Sequence, residues 1–429
     1  MSLNEANVLT SDTQVKSLNW NKKDTVWMLS LYGTAIGAGT LFLPIGAGLN
    51  GIFPLLLMSL LIFPMTFYSH RALCRFVLSG STSVNDITEV VDEHFGSRVG
   101  NLLTFLYFFA IYPILLMYSI AITNTTESFI VHQLGLEAPP RALISIVLIL
   151  ALMIIIRIGQ HMVVKSMSVL VYPFIAILIF FSLYLIPYWN EAAFQQENVI
   201  AAGQNHGILM ALWLGIPIMV FSFNHSPIIS SFAVSQKQTY GYQADEKSSW
   251  ILRNSHILMV STVMFFVFSC VLSLSPQDLA LAKQQNISIL SYLANHFNTP
   301  FIAYVAPFVA FIAISKSFLG HYLGASEGLF GLIAKSLRKK NYHVCQKKLQ
   351  LFIDIFMVIT CWIIATVNPS ILGMIETLGG PVIAMILFLM PMYAMIKVPA
   401  MKKFRHLKSD IFITLIGFIA LSAIIYSII

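Results

Sequence analysis

The side chains best suited to chemistry in this chain lie inside long apolar runs. Residues 222–226 read Ser-Phe-Asn-His-Ser, so four hydrogen-bonding side chains occur within five positions. Lys316 is a lone cation within the apolar run 301–333, and a charge at membrane depth is by default a functional hypothesis. Neither position pairs a nucleophile with a general base, which an intramembrane hydrolase or transferase would need. The pattern therefore favours a binding or transport site and predicts that the protein is not an enzyme.

Other common sources of chemistry are missing from the sequence. The four cysteines show no CxxC spacing, the eleven histidines show no metal-ligand spacing, and no GxxxxGK motif for a nucleotide occurs. We therefore expect no metal and no cofactor. Any driving force would come from an ion gradient or from the gradient of the substrate itself.

The elements that must position these residues are membrane spans. Of the 429 residues, 57% are hydrophobic and 10% are charged, whereas soluble domains have about 45–50% apolar and about 25% charged residues. Runs of roughly 20 apolar residues, long enough to cross a bilayer, recur along the whole chain. The sequence predicts an all-α polytopic membrane protein with eleven spans, at 25–48, 50–70, 99–123, 141–158, 166–186, 207–234, 255–275, 301–333, 351–367, 371–396 and 410–429.

The basic residues predict the orientation of these spans. With residues 1–24 as a cytoplasmic tail, all but three of the 25 Lys and Arg residues fall on the inner side, the three being Arg141, Lys283 and Lys316. This bias matches the positive-inside rule and places the carboxyl terminus outside. The net charge of +7 thus reflects topology, and we expect a lipid bilayer rather than nucleic acid as partner. The polar tail contains no cleavable signal peptide, which is consistent with a multi-pass bacterial inner-membrane protein.

Two spans contain sequence that should interrupt a helix. Span 1 carries GTAIGAGTLFLPIGAG and span 6 carries GIPIMVFSFNHSPIISSF. Proline removes the hydrogen bond to the carbonyl four residues earlier, so Pro44, Pro217 and Pro227 should free backbone carbonyls. Broken helices in corresponding positions of two inverted halves indicate the central site of a transporter. The alternatives are close helix packing through Gly33 and Gly37 in span 1 and a simple proline kink in span 6.

The breaks predict a five-plus-five inverted repeat, with residues 25–186 as the first repeat, 207–396 as the second and 410–429 as an extra span. Helix ends at a break would offer N–H groups to the carboxylate of an amino acid and carbonyls to its ammonium group. Tyr112, beside a kink at Pro113, could also touch the substrate, although packing is an alternative role. The predicted substrate-binding residues are Thr34, Gly37, Ala38, Gly39, Thr40, Tyr112, Phe221, Ser222, Asn224 and Ser226.

Several stretches together resemble one family of transporters. They are LYGTAIGAGTLFLP, DITEVVDEHFG, FSFNHSPIISSF, NISILSYLANHF, KSFLGHYLG and NPSILGMIETLGGP. From about residue 20 to the end, the chain resembles the hydroxy/aromatic amino acid permease family, and most closely its bacterial serine transporters. The resemblance implies a LeuT-like amino acid permease fold and proton-coupled uptake of L-serine by alternating access. A threonine or serine/threonine transporter is the nearest alternative, and an amino acid sensor with little transport is the alternative from another class.

The resemblance also suggests how a proton could be coupled. In sodium-driven relatives of the fold, a sodium ion lies between spans 1 and 8. Lys316 lies about 22 Å along span 8 from its outer end, and we expect its ammonium group to occupy that place. Its helical face continues through Gly320 and Leu323 to Glu327, so a static cation anchored by Glu327 or by carbonyls is the alternative. His225 and His321 are rival proton carriers.

Two segments outside the spans also have predicted structure. Residues 85–95 should form an acidic amphipathic helix on the inner face, with Ile87, Val90, Val91 and Phe95 on one side. Residues 275–297 begin with Ser-Pro-Gln-Asp, which is typical of a helix start. The family resemblance implies that this second segment forms an outer lid, and a connector docked on the spans is the alternative.

Overall fold

The computed structural model describes residues 18–82, 86–158, 160–195, 199–200, 207–297, 299–340, 345–375, 377 and 380–428. These residues are mostly helical and include no β-strand. Residues 1–17 of the predicted tail lie outside the described part of the chain, as does the side chain of Ala38.

Seventeen α-helices follow one another through the described residues. The first eight are α1 Lys22–Ala35, α2 Ala38–Gly48, α3 Ile52–Leu78, α4 Ile87–Ser128, α5 Arg141–Ile158, α6 Gln160–Leu185, α7 Ile208–Ser222 and α8 Ser226–Tyr240. The others are α9 Ala244–Ser273, α10 Pro276–Gln284, α11 Ile289–His296, α12 Pro300–Lys339, α13 Gln346–Val367, α14 Ile371–Met374, α15 Gly380–Ala384, α16 Met390–Lys397 and α17 Leu407–Ile428.

The helices follow the predicted apolar runs, but the number of membrane crossings is not confirmed. Each of the eleven runs coincides with one helix or with an interrupted series of helices. By length and composition, six helical stretches among the described residues could cross a membrane, and a bent pair, Lys22–Ala35 with Gly39–Gly48, makes a seventh. The apolar helices Ile208–Ser222 and Val382–Lys397 are shorter. Eleven spans, their orientation and the division into two repeats therefore stay predictions.

Side-chain caps account for several helix starts outside the apolar runs. Asn21, Asp86 and Ser275 each accept a backbone N–H at the start of α1, α4 and α10, and each forms a reciprocal capping box with the third residue of its helix. The predicted helix start at Ser275 is thereby confirmed. The predicted amphipathic helix is also present, because Ile87, Val90 and Val91 are buried and Gly96, at φ 77°, separates their helical segment from the rest of α4.

The helices pack into two groups that meet at the interrupted pairs. In one group α3 packs against α7, α8 and α9, α1 against α9, and α2 against α7. In the other group α4 packs against α12 and α13, and α13 packs against α5. The broken helices thus belong to one packing group, and the long helices α4 and α12 form the facing wall.

The predicted outer lid is docked firmly on the bundle. Helix α10 packs on α2 and α11 packs on α12. Between them Asn286 donates to the side chain of Asn368 at 2.9 Å and to the carbonyl of Pro369 at 3.0 Å, and it accepts from the N–H of Ile371 at 2.9 Å. Asn124 of α4 donates to the Asn286 carbonyl at 2.7 Å. These bonds tie the connector between α10 and α11 to the ends of α4 and α13.

Candidate functional site

The first break separates α1 from α2. Helix α1 ends at Ala35, Ile36 is extended with φ −82° and ψ 106°, and the two helix axes differ in direction by 53°. The Ser317 hydroxyl of α12 donates to the Ile36 carbonyl at 2.8 Å, so this interrupted backbone group has a partner. The break lies well before Pro44, which sits inside α2. The Gly37 segment, rather than the proline, interrupts the helix.

The second break separates α7 from α8 over residues 223–225. Pro227 is the second residue of α8, a position where the missing N–H of proline costs no helical bond. The Phe223 carbonyl, predicted to be free, lies 3.1 Å from Nδ1 of His225, which can donate to it. The His225 imidazole at the break therefore supplies a hydrogen-bond donor to one of the backbone carbonyls of the same break. Pro217 lies inside α7, which continues to Ser222.

The two breaks meet directly. The Ser222 hydroxyl donates to the Gly39 carbonyl at 2.9 Å, and the Thr40 hydroxyl lies 3.5 Å from the Ser222 carbonyl. A Cβ added at Gly39 would lie only 3.0 Å from the ring of Phe221. Contact this close leaves room for a small ligand only.

Asn224 places an unpaired donor at the same point. Its side-chain oxygen accepts the N–H of Ser226 at 3.0 Å and so caps the start of α8. Its Nδ2 group is buried and makes no hydrogen bond of good geometry among the described residues. A buried amide donor without a partner suits a ligand that brings an acceptor oxygen.

The facing wall contributes Tyr118 and Ser317, which the sequence did not single out. A Cβ added at Gly37 would lie 2.6 Å from the Tyr118 hydroxyl and 2.6 Å from Cβ of Ser317. Tyr112, the predicted span 3 contact, instead stacks on Phe108 and Phe356, with ring centroids 4.9 and 5.8 Å away. The structure does not bring Tyr112 to the breaks. The kink at Pro113 was the reason for predicting Tyr112, which lies on the wrong face of α4. No signal in the sequence marked Tyr118.

A cavity of about 240 Å³ opens from the first break toward the end of the molecule that carries the start of α1. It is lined by residues of α1 from 26 to 34, of α8 from 227 to 231 and of α12 from 320 to 327. Thr34 lies on its wall, but the Thr34 hydroxyl donates to the Ser30 carbonyl at 2.8 Å within α1. The predicted face of α12, through Gly320 and Leu323 to Glu327, lines this cavity.

Lys316 lies at the deep end of that face. Its side chain is buried, and its ammonium nitrogen would be 2.8 Å from a Cβ placed on Gly33 of α1. The same nitrogen lies 5.9 Å from the ring centroid of Phe174 in α6. None of the ion pairs between described residues includes Lys316. Glu327 lies eleven residues further along α12, about 16 Å away along the axis, so it does not anchor this cation.

The histidines fall into two different settings. His321 is buried and points Nδ1 at the Ser317 carbonyl of its own helix, at 2.9 Å, with its ring 4.9 Å from Tyr118. His225 is instead grouped with His70 of α3 and His256 of α9, and the potential ligand nitrogens of the three rings lie within 4.8 Å of one another. Sequence spacing gave no sign of this cluster, because its members are far apart in the chain.

Comparison with known proteins gives a consistent result. Residues 23–427 match the Tryptophan/tyrosine permease family. The serine transporter SdaC of Escherichia coli (strain K12) is 63% identical over 409 residues, covering 95% of both chains. The serine transporter SdaC of Shigella flexneri is 62% identical over the same coverage.

Solved structures share the fold at low sequence identity. A mutant of the Eremococcus coleocola manganese transporter superposes with a TM-score of 0.60 at 14% identity, covering 94% of this chain and 85% of that one. MhsT in complex with L-phenylalanine superposes with a TM-score of 0.56 at 15% identity, covering 95% and 98%. These matches confirm the all-helical, LeuT-like fold predicted from the sequence.

Proposed function

The chain belongs to the tryptophan/tyrosine permease family, and on that premise we propose that it takes up L-serine across the bacterial inner membrane together with protons. Membership of a permease family indicates a transporter rather than an enzyme. The similarity to serine transporters along nearly the whole chain supports serine as the substrate. Neither a metal nor a cofactor is needed for this activity, since the proton gradient supplies the energy.

The observation that carries the proposal is the direct contact between the two helix breaks. Ser222 bonds the Gly39 carbonyl across them, and Asn224 offers a buried, unpaired amide donor. The first N–H groups of α2 suit the substrate carboxylate, because helix amino ends carry partial positive charge. Carbonyls at the ends of α1 and α7 suit its ammonium group.

The fit between α2 and α7 supports a small substrate. The Phe221 ring and the Ser222 backbone close the space above Gly39, so a bulky aromatic side chain would require them to move. The hydroxyl of serine would find hydrogen-bonding partners in Asn224 and in Tyr118 on the facing wall. Threonine adds a single methyl group, and that difference makes it the closest competitor.

The cavity beside Glu327 would be the release path. It leads from Gly33 and Thr34, next to the breaks, along α12 to the side that carries the basic loops. With the amino terminus in the cytoplasm, this path opens inward. Serine would bind from outside, and the group that contains the broken helices would then rock against α4 and α12 to expose the cavity.

Lys316 would couple the proton to this movement. A buried ammonium group without a carboxylate partner is costly unless water can reach it. Because the ammonium lies between α1 and α12, on opposite sides of the moving interface, its charge state would alter how tightly the two groups pack. The alternative is a static cation that only holds α12 against α1.

The test is uptake of radiolabelled L-serine into proteoliposomes in sodium-free buffer, with and without an inward proton gradient. We expect gradient-dependent accumulation that unlabelled serine abolishes and threonine reduces only weakly. Lys316→Ala should lose accumulation above the outside concentration, whereas Lys22→Ala, an exposed lysine at the start of α1, should behave as wild type. Normal gradient-driven uptake by Lys316→Ala would show that Lys316 does not couple the proton to transport. Preferential uptake of threonine would make threonine, rather than serine, the substrate. Binding of serine without uptake would favour an amino acid sensor.

A further inference from the structure

Three buried histidines from three different helices face one another beside the second break. His70 comes from α3, His225 from the break itself and His256 from α9, and all three are buried. The His70 and His225 rings are stacked with centroids 3.7 Å apart and planes 9° apart, and the His225 and His256 rings are 4.8 Å apart. No part of the substrate binding proposed above uses this cluster.

The hydrogen bonds define where the hydrogens lie. In each ring Nδ1 faces a backbone carbonyl: that of Thr66 at 2.8 Å for His70, Phe223 at 3.1 Å for His225 and Leu252 at 2.8 Å for His256. A carbonyl can only accept, so each Nδ1 carries the hydrogen and each Nε2 carries a lone pair.

The three lone pairs are not equivalent. Nε2 of His70 accepts the backbone N–H of His225 at 3.1 Å, a group at the start of α8 that has no helical partner. Nε2 of His225 and Nε2 of His256 are buried and have no partner among the described residues. The cluster thus has two buried hydrogen-bond acceptors, and no described residue donates a hydrogen to either of them.

The ring geometry argues against a shared metal ion. A histidine binds a metal along the lone pair in its ring plane, at about 2.0–2.1 Å. The His70 and His225 rings are stacked in nearly parallel planes with centroids 3.7 Å apart, so their in-plane lone pairs cannot meet at one ion. The His70 lone pair is also already used by the His225 N–H.

The His225 and His256 ring centroids are 4.8 Å apart, so a proton bound to either free Nε2 would place a positive charge beside the other ring. That charge would repel a second proton. We propose that His70, His225 and His256 form a proton-binding site in which the Nε2 atoms of His225 and His256 take up one proton, and that this proton sets the shape of the break between α7 and α8. This inference rests on the proposed proton-coupled transport and adds to it a second proton site, made of residues other than Lys316.

None of the ion pairs between described residues includes a member of this cluster. The charged groups nearest along the same helices are engaged elsewhere: Arg71 lies over the rings of Phe67 and Tyr68, Arg75 pairs with Asp245, and Lys247 pairs with Asp24. The Phe67 ring and the Asn224 amide also face the rings, and both are uncharged. An imidazolium without a carboxylate partner is costly to bury, so the site would hold its proton only in part of the transport cycle.

The cluster also reaches the proposed substrate residues. His70 accepts the His225 N–H and adjoins the Asn224 amide, while Asn224 caps α8 through Ser226. A charge on the neighbouring Nε2 pair would repel the positive amino end of α8 and loosen the His70–His225 bond. Serine and the proton would then each alter the affinity for the other, as linkage requires.

The first test measures protons exchanged when serine binds, by titration calorimetry of the purified protein in buffers with different heats of ionisation. We expect the wild type to exchange about one proton near the midpoint of its titration. In His256→Gln, and in His225→Gln if it folds, this exchange should fall severalfold while serine still binds. His132→Gln, a change at an exposed histidine, is the matched control and should behave as wild type. Unchanged proton exchange in His256→Gln overturns the proposal, whatever happens to uptake.

The second test does not depend on transport. Nitrogen-15 spectra of histidine-labelled, serine-free protein should contain neutral rings with the hydrogen on Nδ1 that become charged as the pH falls, and His256→Gln should remove that transition. If the transition survives in His256→Gln, the proposal fails. A metal-bound signature on addition of Zn²⁺ would overturn it in favour of a metal site. If the protein shows this titration but takes up no serine, only the proposed transport function is wrong, and the proton-binding site is retained.

Discussion

Asp24 and Lys247 form an ion pair of 2.6 Å that is almost completely shielded from solvent, with side-chain exposures of 1% and 0%. Lys247 also donates to the carbonyls of Leu18 and Asn19, both at 2.9 Å, and Tyr240 donates to Asp24 at 3.3 Å. The pair thus fastens the segment before α1 to α9 and to the end of α8. It lies at the end of the molecule toward which the proposed release path opens.

Removal of one partner of this pair should be strongly destabilising. Asp24→Ala leaves Lys247 buried and uncompensated, and a broken buried pair typically costs about 3–5 kcal/mol. We expect a large fall in the thermal unfolding temperature in detergent, followed by intrinsic fluorescence. Asp245→Ala, which breaks the more exposed pair with Arg75, is the control and should cost about 1 kcal/mol or less. Equal shifts for the two variants would contradict the structural role assigned to Asp24.

A methyl group at the first break should stop transport. Gly37→Ala would push its Cβ into Ser317 and the Tyr118 hydroxyl, and both belong to the facing wall. We expect loss of serine uptake in proteoliposomes, with partial recovery when Ser317→Gly is added to make room. Gly331→Ala in α12 is the control, since nothing lies within 4 Å of the added atom. Full uptake by Gly37→Ala would mean that the break does not stay closed against α12.

The two tyrosines of α4 should differ in their effect on serine affinity. Tyr118→Phe removes a buried hydroxyl beside Gly37, and loss of one hydrogen bond of about 1–1.5 kcal/mol corresponds to a roughly tenfold weaker affinity. Tyr112→Phe keeps the ring stacked between Phe108 and Phe356 and should leave serine affinity unchanged. Competition binding of serine to the two purified variants measures the difference. If Tyr112→Phe weakens serine binding more than Tyr118→Phe does, then Tyr112 contacts the substrate, as predicted from the sequence.

The asparagine that holds the outer connector should be sensitive to both shape and chemistry. Asn286 has φ 55°, a left-handed conformation that favours Asn or Gly, and its side chain makes three hydrogen bonds to the segment after α13. Asn286→Ala loses the bonds and adds backbone strain, whereas Asn286→Gly loses only the bonds. We therefore expect thermal stability to fall in the order wild type, Gly, Ala, with about 1 kcal/mol between the two variants. Equal stability of the two variants would remove the strain argument.

The sequence by itself determined the architecture of this protein. Apolar runs of membrane length, separated by segments rich in Lys and Arg, predict membrane-spanning helices. In lipid, backbone polar groups must form hydrogen bonds within their own segment, and a helix does this. The Gly-rich stretch around Gly37 and the Pro-containing stretch around Asn224 likewise marked the two breaks, since both effects are local to the backbone. The capping box at Ser275 was readable for the same reason.

Only the tertiary structure decided which side chains meet at those breaks. Tyr118 rather than Tyr112 reaches Gly37, because the rotation of α4 about its axis is set by packing against α12 and α13, which no local pattern encodes. Anchoring of Lys316 by Glu327 was one alternative left open by the sequence, but the two residues lie about 16 Å apart along α12. The cluster of His70, His225 and His256 joins residues up to 186 positions apart. Such contacts depend on how helices distant in the chain pack together, and spacing along the sequence carries no information about that.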